Sequence, residues 1–547
     1  MSDPGSVHSY SERIVYMPKV LLTSVCRPFG GNGEGDSVGA ELFHAQVTRS
    51  QGIFSYRQVI RCWGLDYIAE NIEAPAVVLH YPSEREFIHE IRTKHYDYIG
   101  INFVVATFHK ARRMTRIIRR HSPGSQIIFG GYGTVLSNDV LGAYCDFICR
   151  EEGIVYMRRL LGESLDGPVR HPYTPIESPR VYSFPLKTKV AHITGGLGCP
   201  NGCDFCCTSH FFNRKYIPFI QSGRELHDTM RLMEHKAREA GDTLSSFIFI
   251  DEDFFIHETR AREFLNCVRE AGVSSSIMGF GSVRGLSRFT ADEIAEMGFD
   301  VIWTGFEGTG SGYKKLQGKK LDVLYDDLRS RGVAILTSMI IGFPHQNRAG
   351  ILEDFKQLTE MGPSLWQILI YFAFPSTPLY EKVLAEGRYL PEYQDHPDYR
   401  TFDGFSMHFQ HTHFTAEELE DLQKELYRRC FEVLGPSLVR VLQSWFEGYQ
   451  NLKDSASPLL RERAARMRSY VRSALPGIYP AIRFGPNQQR RSEARQFLRE
   501  IEDELGPLSL KERLQCWGTI PLSAWTWMTE KLALFQQPRL LRIEHRL

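Results

Sequence analysis

No apolar run in this 547-residue chain approaches the roughly 18 residues that a membrane-spanning helix requires. The opening stretch, MSDPGSVHSYSERIVYMPKV, lacks the charged-then-apolar plan of a signal peptide. There is no excess of either charge: 65 basic residues meet 65 acidic ones, so net charge argues against nucleic acid or another polyanion as partner. Internal repeats and low-complexity tracts are missing. The eleven cysteines are odd in number and mostly scattered, which excludes a regular disulfide framework and suits a reducing cytoplasm. What remains is the composition of a globular protein, too long for one core and divisible into two to four domains.

Three cysteines break the scatter. Gly198-Cys199-Pro200-Asn201-Gly202-Cys203-Asp204-Phe205-Cys206-Cys207 sets thiols at C-x3-C-x2-C in a glycine-containing loop after the apolar run Val190 to Ile193. So tight a loop aims three sulfurs at one region and cannot easily add a fourth ligand. Structural zinc sites want four protein ligands. A four-iron cluster also takes four, normally all cysteine, so three leave one iron open to a non-protein group. A zinc knuckle lacking its partner, or plain buried thiols, are the other readings. Cys207 stands outside the triplet and reads as a packed thiol.

The CPNGCDFC segment resembles the cluster loop of the radical SAM enzymes. The resemblance implies that Cys199, Cys203 and Cys206 hold a [4Fe-4S] cluster whose open iron chelates S-adenosylmethionine, with Phe205 packing by the adenine. Six apolar runs follow: Val190–Ile193, Phe247–Ile250, Ser276–Phe280, Val301–Thr304, Ala334–Ile341 and Ile368–Phe372. Helical segments including Gly223–Ala240, Glu258–Ala271 and Ala291–Met297 separate them. This matches the partial (β/α)6 barrel of that family, over 190–385. In parallel barrels the chemistry gathers at the strand carboxyl ends. There lie Asp251, Glu252 and Asp253, suited to the ammonium or ribose of S-adenosylmethionine. Ser282 and Arg284 follow the third strand, and a guanidinium can grip the methionyl carboxylate by a two-point fork. Glu307 lies in Gly305-Phe306-Glu307-Gly308, which resembles the family's G-I-E-x segment. IGFP at 341–344 and FPSTPLY at 374–380 resemble later family segments, with a serine replacing one glycine. Taken singly, each charged residue here reads equally well as a solvated loop end.

Ahead of this core, β-branched runs alternate with amphipathic stretches, the pattern of a doubly wound Rossmann-like α/β domain over 19–170. The spacing predicts strands at Val20–Ser24, Ala76–His80, Tyr98–Phe103, Gln126–Phe129 and Asp146–Cys149, with helices such as Glu84–Thr93 and Lys110–Arg120. Glycine-rich loops at strand ends, Gly30 to Gly35 and Gly130-Gly131-Tyr132-Gly133, are where such folds bind ligands; structural turns would also explain them. YDYIGINFVVAT, IIFGGYGT and DFICREEG resemble, in that order, the cobalamin-binding domain that precedes many radical SAM cores. The resemblance implies cobalamin contacts from Asn102, Val104, Gly130, Gly131, Tyr132, Gly133, Glu151 and Glu152. The D-x-H-x-x-G loop that gives cobalt a histidine is absent, so a bound cobalamin would lack that ligand. A domain keeping the fold without the cofactor remains an open alternative.

Residues 1–18 read as a tail and the proline-rich 171–189 as a linker. From 386 to 547 the pattern turns mainly helical, opened by the capping box Thr415-Ala416-Glu417-Glu418. Arg461 to Arg499 holds ten arginines against two glutamates. A solvated helix face is the plain reading, with a seat for an acidic substrate or an anionic membrane surface as the functional ones. His408, His411 and His413 alternate in a loop, a pattern that usually holds no metal, and Trp525 and Trp527 read as core.

Together the resemblances imply an enzyme that cleaves S-adenosylmethionine to a 5′-deoxyadenosyl radical. With cobalamin it would methylate an unactivated carbon, or a phosphinate phosphorus, of a lipid or secondary-metabolite intermediate. A donor such as flavodoxin or ferredoxin would supply electrons. A radical cyclase or carbon–carbon bond-forming enzyme, and a non-catalytic cobalamin-binding sensor, are the competing readings.

Overall fold

The computed structural model describes residues 17–29, 47–59, 61–181, 184–185, 188–394, 397–532 and 537–546. The expected Gly30–Gly35 loop lies outside them.

Short, fully buried apolar runs build the first sheet. β1 (Val20–Ser24), β2 (Ala76–His80), β3 (Tyr98–Asn102), β4 (Gln126–Gly130) and β5 (Phe147–Ile148) pair in parallel in the order β2-β1-β3-β4-β5. Helices α1 (Trp63–Asn71), α2 (Glu84–Thr93), α3 (Phe108–His121) and α4 (Gly153–Leu161) connect or flank them. Separate apolar clusters on the sheet's two faces show it to be covered on both sides.

The second sheet is the barrel portion. β6 (Lys189–Thr194), β7 (Leu244–Ile250), β8 (Ile277–Phe280), β9 (Phe299–Glu307), β10 (Ala334–Ile341) and β11 (Leu365–Ile370) are parallel, each beside its sequence neighbour. The crossovers include α5 (Gly223–Glu239), α6 (Glu258–Ala271), α7 (Leu321–Arg329) and α8 (Arg348–Met361). A phenylalanine-rich cluster, with Phe249, Phe254, Phe255, Phe264 and Phe299, packs this side of the sheet. The expected strands in both sheets are present, with ends shifted by a few residues.

The carboxyl-terminal helices are α9 (Ala416–Leu434), α10 (Ser437–Leu452), α11 (Pro458–Ala474), α12 (Gln488–Leu505) and α13 (Leu510–Lys531). None of the described helices is long and apolar enough to cross a membrane. α11 closes the amino-terminal end of the barrel through Arg463, which is fully buried. Its guanidinium pairs with Asp300 at 2.6 Å and donates to the carbonyls of Phe299 (2.8 Å), Arg331 (3.0 Å) and Gly332 (3.2 Å). Many arginines of the basic stretch have structural partners: Arg466 bonds Glu462 and the Ser274 carbonyl, Arg472 forks Glu512, and Arg490 pairs with Glu493.

Two features depart from the sequence reading. β12 (Leu541–His545) leaves the helical region and adds antiparallel to β2, becoming the edge of the first sheet. Arg542 fixes it there by two bonds of 3.0 Å to Glu90. Trp525 and Trp527, expected in the core, are both more than half exposed.

Removing Arg463 takes away the closest partner of the buried Asp300 and leaves it only Arg466, at 4.0 Å. Breaking such a pair costs about 3–5 kcal/mol. Arg463→Ala is therefore expected to lower the urea midpoint by an amount that Arg463→Met combined with Asp300→Leu largely restores, as read from equilibrium unfolding.

Candidate active site

The three-thiol loop leaves β6 at the carboxyl end of the barrel. A two-residue ribbon, Gly196–Leu197 against Ile217–Pro218, closes its base. Gly198 turns with φ +86°, and a Cβ there would lie 2.2 Å from the Lys215 carbonyl oxygen, so only glycine fits. Ser209 ties the turn internally: its Oγ donates to the Cys199 carbonyl (2.6 Å) and accepts from Gly202 N–H (3.0 Å). The Cys206 N–H donates to the Cys203 carbonyl at 3.0 Å.

Cys199 and Cys203 are buried and Cys206 is half-buried. Burial pushes the Cys199 thiol up to about 11 and the Cys203 thiol up to about 12, and raises that of Cys206. Cys199 and Cys203 each also feel the negative charge of Cys206. Among the described residues, no three His, Cys, Asp or Glu side chains converge on a single metal ion. A four-iron cluster makes a different demand, since its irons are ligated by separate thiolates. Three clustered, buried thiols whose negative charges are costly without a counter-charge fit that demand.

Polar side chains from distant parts of the chain brace the loop. Asn201 Nδ2 donates to Cys199 Sγ (3.3 Å) and to Asp253 Oδ2 (3.0 Å), and Asn201 Oδ1 accepts from Arg284 (2.8 Å). Asp253 also accepts from Ser282 N–H at 3.0 Å, and Ser282 Oγ caps the next helical turn through Gly285 N–H. Asp204, between two of the cysteines, accepts from the hydroxyls of Tyr313 (2.6 Å) and Tyr371 (2.8 Å). Phe205 sets its ring edge-to-face with both tyrosines, at centroid distances of 5.4 and 5.9 Å. Lys315 pairs with the buried Glu307 and stands 5.8 Å from the Phe205 ring centroid. Its positive charge opposes the rise of the Cys203 and Cys206 thiols.

The three acidic residues after β7 divide. Asp251 is bound by Arg260 (2.9 Å) and the Tyr216 hydroxyl (2.6 Å) in a buried cluster. Asp253 braces Asn201. Glu252 Oε2 is buried without a hydrogen-bond partner, and burial pushes its carboxyl up to about 7. Arg284 Nε is likewise buried and unpartnered, leaving part of the guanidinium unused by Asn201.

Between the two sheets lies a cavity of about 1240 Å³. It exceeds the roughly 300–1,000 Å³ of pockets for drug-sized ligands. Asn102, Val104, Gly130, Gly131, Tyr132, Glu151 and Glu152 line it from the first sheet, and Cys206, Glu252, Phe280 and Trp303 from the barrel side. Gly130 has nothing within 4 Å of a built Cβ, so its backbone is open to the cavity, whereas Gly131 at φ +84° is pressed against Asn102. Gly133 packs on the Phe103 ring and is not among the lining residues. Glu152 caps α4 by accepting from the N–H groups of Ile154 and Val155, and Glu151 pairs with Arg159. Tyr132 meets Phe211, on the short helix after Cys206, at 5.1 Å between centroids, so the two sheets touch at the thiol loop.

Sequence reasoning named the thiols, the acidic trio and the glycine loop as candidates. It missed Asn201, Asp204, Tyr313, Lys315 and Tyr371, whose only sequence signal is their position in or after strand ends. His408, of the alternating trio, is buried against Phe402 and Tyr393, with Nε2 3.2 Å from the Thr401 carbonyl. Cys207 opens the short helix Cys207–Phe211, half-buried.

The fold is a covered parallel sheet followed by an open six-stranded parallel barrel with a three-thiol loop after its first strand. The solved radical SAM methyltransferase TsrM of Kitasatospora setae, a structure with cobalamin and a [4Fe-4S] cluster bound, shares this fold. The TM-score is 0.50 at 12% identity, covering 84% of this chain and all of that one. Among curated proteins, an uncharacterized methyltransferase of Pyrococcus horikoshii is 20% identical over 369 residues, 60% of this chain and 78% of the relative. The bacteriochlorophyllide d C-12(1)-methyltransferase of Chlorobaculum tepidum is 20% identical over 360 residues, 61% of this chain and 76% of the relative. No family model matches the chain.

The Glu252 carboxyl gives the site a pH signature. Its folded value lies above the unfolded one of 4.5, so its contribution to stability is whole below 4.5 and is lost as pH rises through about 7. In cofactor-free protein, Glu252→Gln is expected to change little at pH 4.5 and to stabilise at pH 8 by on the order of 3 kcal/mol, as read from urea unfolding at both pH values.

Proposed function

We propose that the protein is a radical SAM enzyme that transfers a methyl group with the help of cobalamin. The observation that carries this reading is the three-thiol loop at the carboxyl end of the barrel, whose Cys206 lines a large cavity shared with the cobalamin-type domain. Cys199, Cys203 and Cys206 would hold the [4Fe-4S] cluster. When bound, the cluster supplies the electron that cleaves S-adenosylmethionine, and cobalamin serves as methyl carrier.

The chain's own groups have definable tasks. Asn201 places an N–H against the Cys199 sulfur, and hydrogen bonds to cluster sulfurs are one lever on potential. Asp204 and its two tyrosines hold the loop at the barrel mouth. Arg284 offers its unpartnered Nε to a carboxylate such as that of S-adenosylmethionine, and Phe205 offers a ring edge to the adenine. Asp251 lines the cavity while held by Arg260; Asp253 acts through Asn201 and Glu307 through Lys315. Glu252, half-protonated near neutral pH, faces the cavity and can donate or accept a hydrogen bond there. Asn102, Val104, Gly130-Gly131-Tyr132, Glu151 and Glu152 form the wall available to cobalamin, with Gly133 shaping that wall from behind.

The substrate is a lipid or secondary-metabolite intermediate with an unactivated carbon, or a phosphinate phosphorus, in a biosynthetic route. Apolar lining residues reaching into the barrel, among them Ile248, Met278, Phe280, Val301, Trp303 and Leu336, support an apolar substrate. An external donor such as flavodoxin or ferredoxin would supply the electrons.

Oxygen-free reconstitution followed by incubation with S-adenosylmethionine and reductant tests this reading. The expected products are S-adenosylhomocysteine and 5′-deoxyadenosine together; 5′-deoxyadenosine alone would point to a cyclase or carbon–carbon bond-forming enzyme, and neither product to a sensor. Cys203→Ala is expected to abolish 5′-deoxyadenosine formation. Asn201→Ala is expected to keep the cluster but lower its midpoint potential. One hydrogen bond is worth about 1 kcal/mol, or roughly 40–50 mV for a single electron. A redox titration followed by electron paramagnetic resonance reads the shift.

A further inference from the structure

α13 is inverted relative to a helix of a water-soluble surface. Leu510, Leu514, Trp517, Pro521, Trp525, Met528 and Leu532 recur at spacings of three and four, so they share one narrow stripe. That stripe faces outward: Leu510 is 76% exposed, Trp517 68% and Leu514 61%. The opposite side packs on its neighbours and carries small and polar residues, with Cys516 0% and Ser523 1% exposed. Ser523 and Thr526 are satisfied there by donating to the carbonyls of Thr519 (2.7 Å) and Leu522 (2.9 Å). The helix thus buries hydroxyls and presents leucine and tryptophan to its surroundings. Burial elsewhere in the molecule does not account for this, because a soluble surface rarely collects large apolar groups in one patch.

The charges beside the stripe select the occupant. Among the described side chains of α13, the exposed charged ones are Lys511, Arg513 and Lys531, all basic. Glu512 faces inward and is forked by Arg472 at 2.6 and 2.9 Å. Arg513 and Lys531 flank one side of the stripe by helical spacing and Lys511 the other, and Lys531 lies 4.5 Å from the Trp527 ring centroid. A second copy of the chain fits poorly. Antiparallel pairing would set Lys511 and Arg513 against Lys531, and parallel pairing would set each cation beside its own copy, so either brings like charges together. An anionic bilayer surface satisfies both features. Tryptophan favours the water–hydrocarbon boundary, and basic flanks meet the lipid phosphates while the apolar stripe enters the acyl region. We propose that α13, about 33 Å long at 1.5 Å per residue, lies in the plane of an anionic membrane as a peripheral anchor. The contact then belongs to a tryptophan face, not to the arginines of 461–499, many of which serve the fold. This inference is independent of the reading of the thiol site.

The test is co-sedimentation of the full-length protein with vesicles of phosphatidylcholine and phosphatidylglycerol in equal parts, beside pure phosphatidylcholine. Binding to the mixed vesicles is expected, weaker at high salt, with tryptophan emission moving to shorter wavelength. Leu514→Ser combined with Trp517→Ser is expected to weaken it by roughly tenfold or more, since two large apolar groups leave the interface. Lys511→Gln, Arg513→Gln and Lys531→Gln, exposed positions that leave the packing untouched, should each weaken binding to mixed vesicles by roughly fivefold. Failure of the wild-type chain to sediment with the mixed vesicles overturns the proposal. So does a dimer in sedimentation equilibrium that Trp517→Ser dissolves, which would show that a second copy covers the stripe. Iron and sulfide content of the same preparation reports separately on the thiol site.

Discussion

Burying three thiols in one loop is the constraint around which the carboxyl end of the barrel is arranged. Burial favours the neutral thiols, so the protein alone resists the charged form that any metal requires. It compensates locally. Lys315 stands where its charge lowers the Cys203 and Cys206 values, and Asn201 brings an N–H to Cys199. Both compensating groups are themselves anchored, Lys315 by Glu307 and Asn201 by Arg284 and Asp253. The loop is held by polar side chains from β7, β8, β9 and β11 ends, which makes its geometry a property of the whole barrel mouth.

That network explains what was and was not legible in the sequence. Strands in both sheets were readable because each is a short apolar run between turn residues, and the thiols were readable because their spacing is local. Asp204, Tyr313 and Tyr371 were not. A carboxylate in a loop and two tyrosines more than a hundred residues away carry no shared local pattern, and only the closure of the barrel brings them together. The same applies to β12. LRIEH is five residues without a periodic partner, and its place is decided by the free edge of β2, more than 450 residues earlier.

The carboxyl-terminal region is not a detachable lid. Arg463 reaches the amino-terminal end of the barrel, where it satisfies backbone carbonyls at the start of β9 and in the loop before β10 and pairs with Asp300. β12 then carries the chain back to the first sheet, with Arg542 on Glu90 holding the return. The two sheets that face the cavity are therefore joined by the link after β5 and again by the terminal strand. A large cavity at such a double junction keeps its walls in register without needing to fill its interior with side chains, as the packed core of a closed barrel must.

α13 shows where a pattern in sequence fixes a face but not its direction. The apolar spacing from Leu510 to Leu532 identifies a stripe, and the usual inference turns a stripe inward. Here the opposite side is the one that packs, because Cys516, Ser523 and Thr526 are small enough to let the helix approach its neighbours closely and their hydroxyls are satisfied by carbonyls of the same helix. Neutral net charge hides the same asymmetry. Arginines that composition alone would assign to a basic surface turn toward carbonyls and carboxylates, and the exposed basic residues described on α13 are those that flank its apolar stripe. Which side of an amphipathic helix meets solvent is set by the residue sizes that the packed side can accommodate, and that is information only the assembled fold contains.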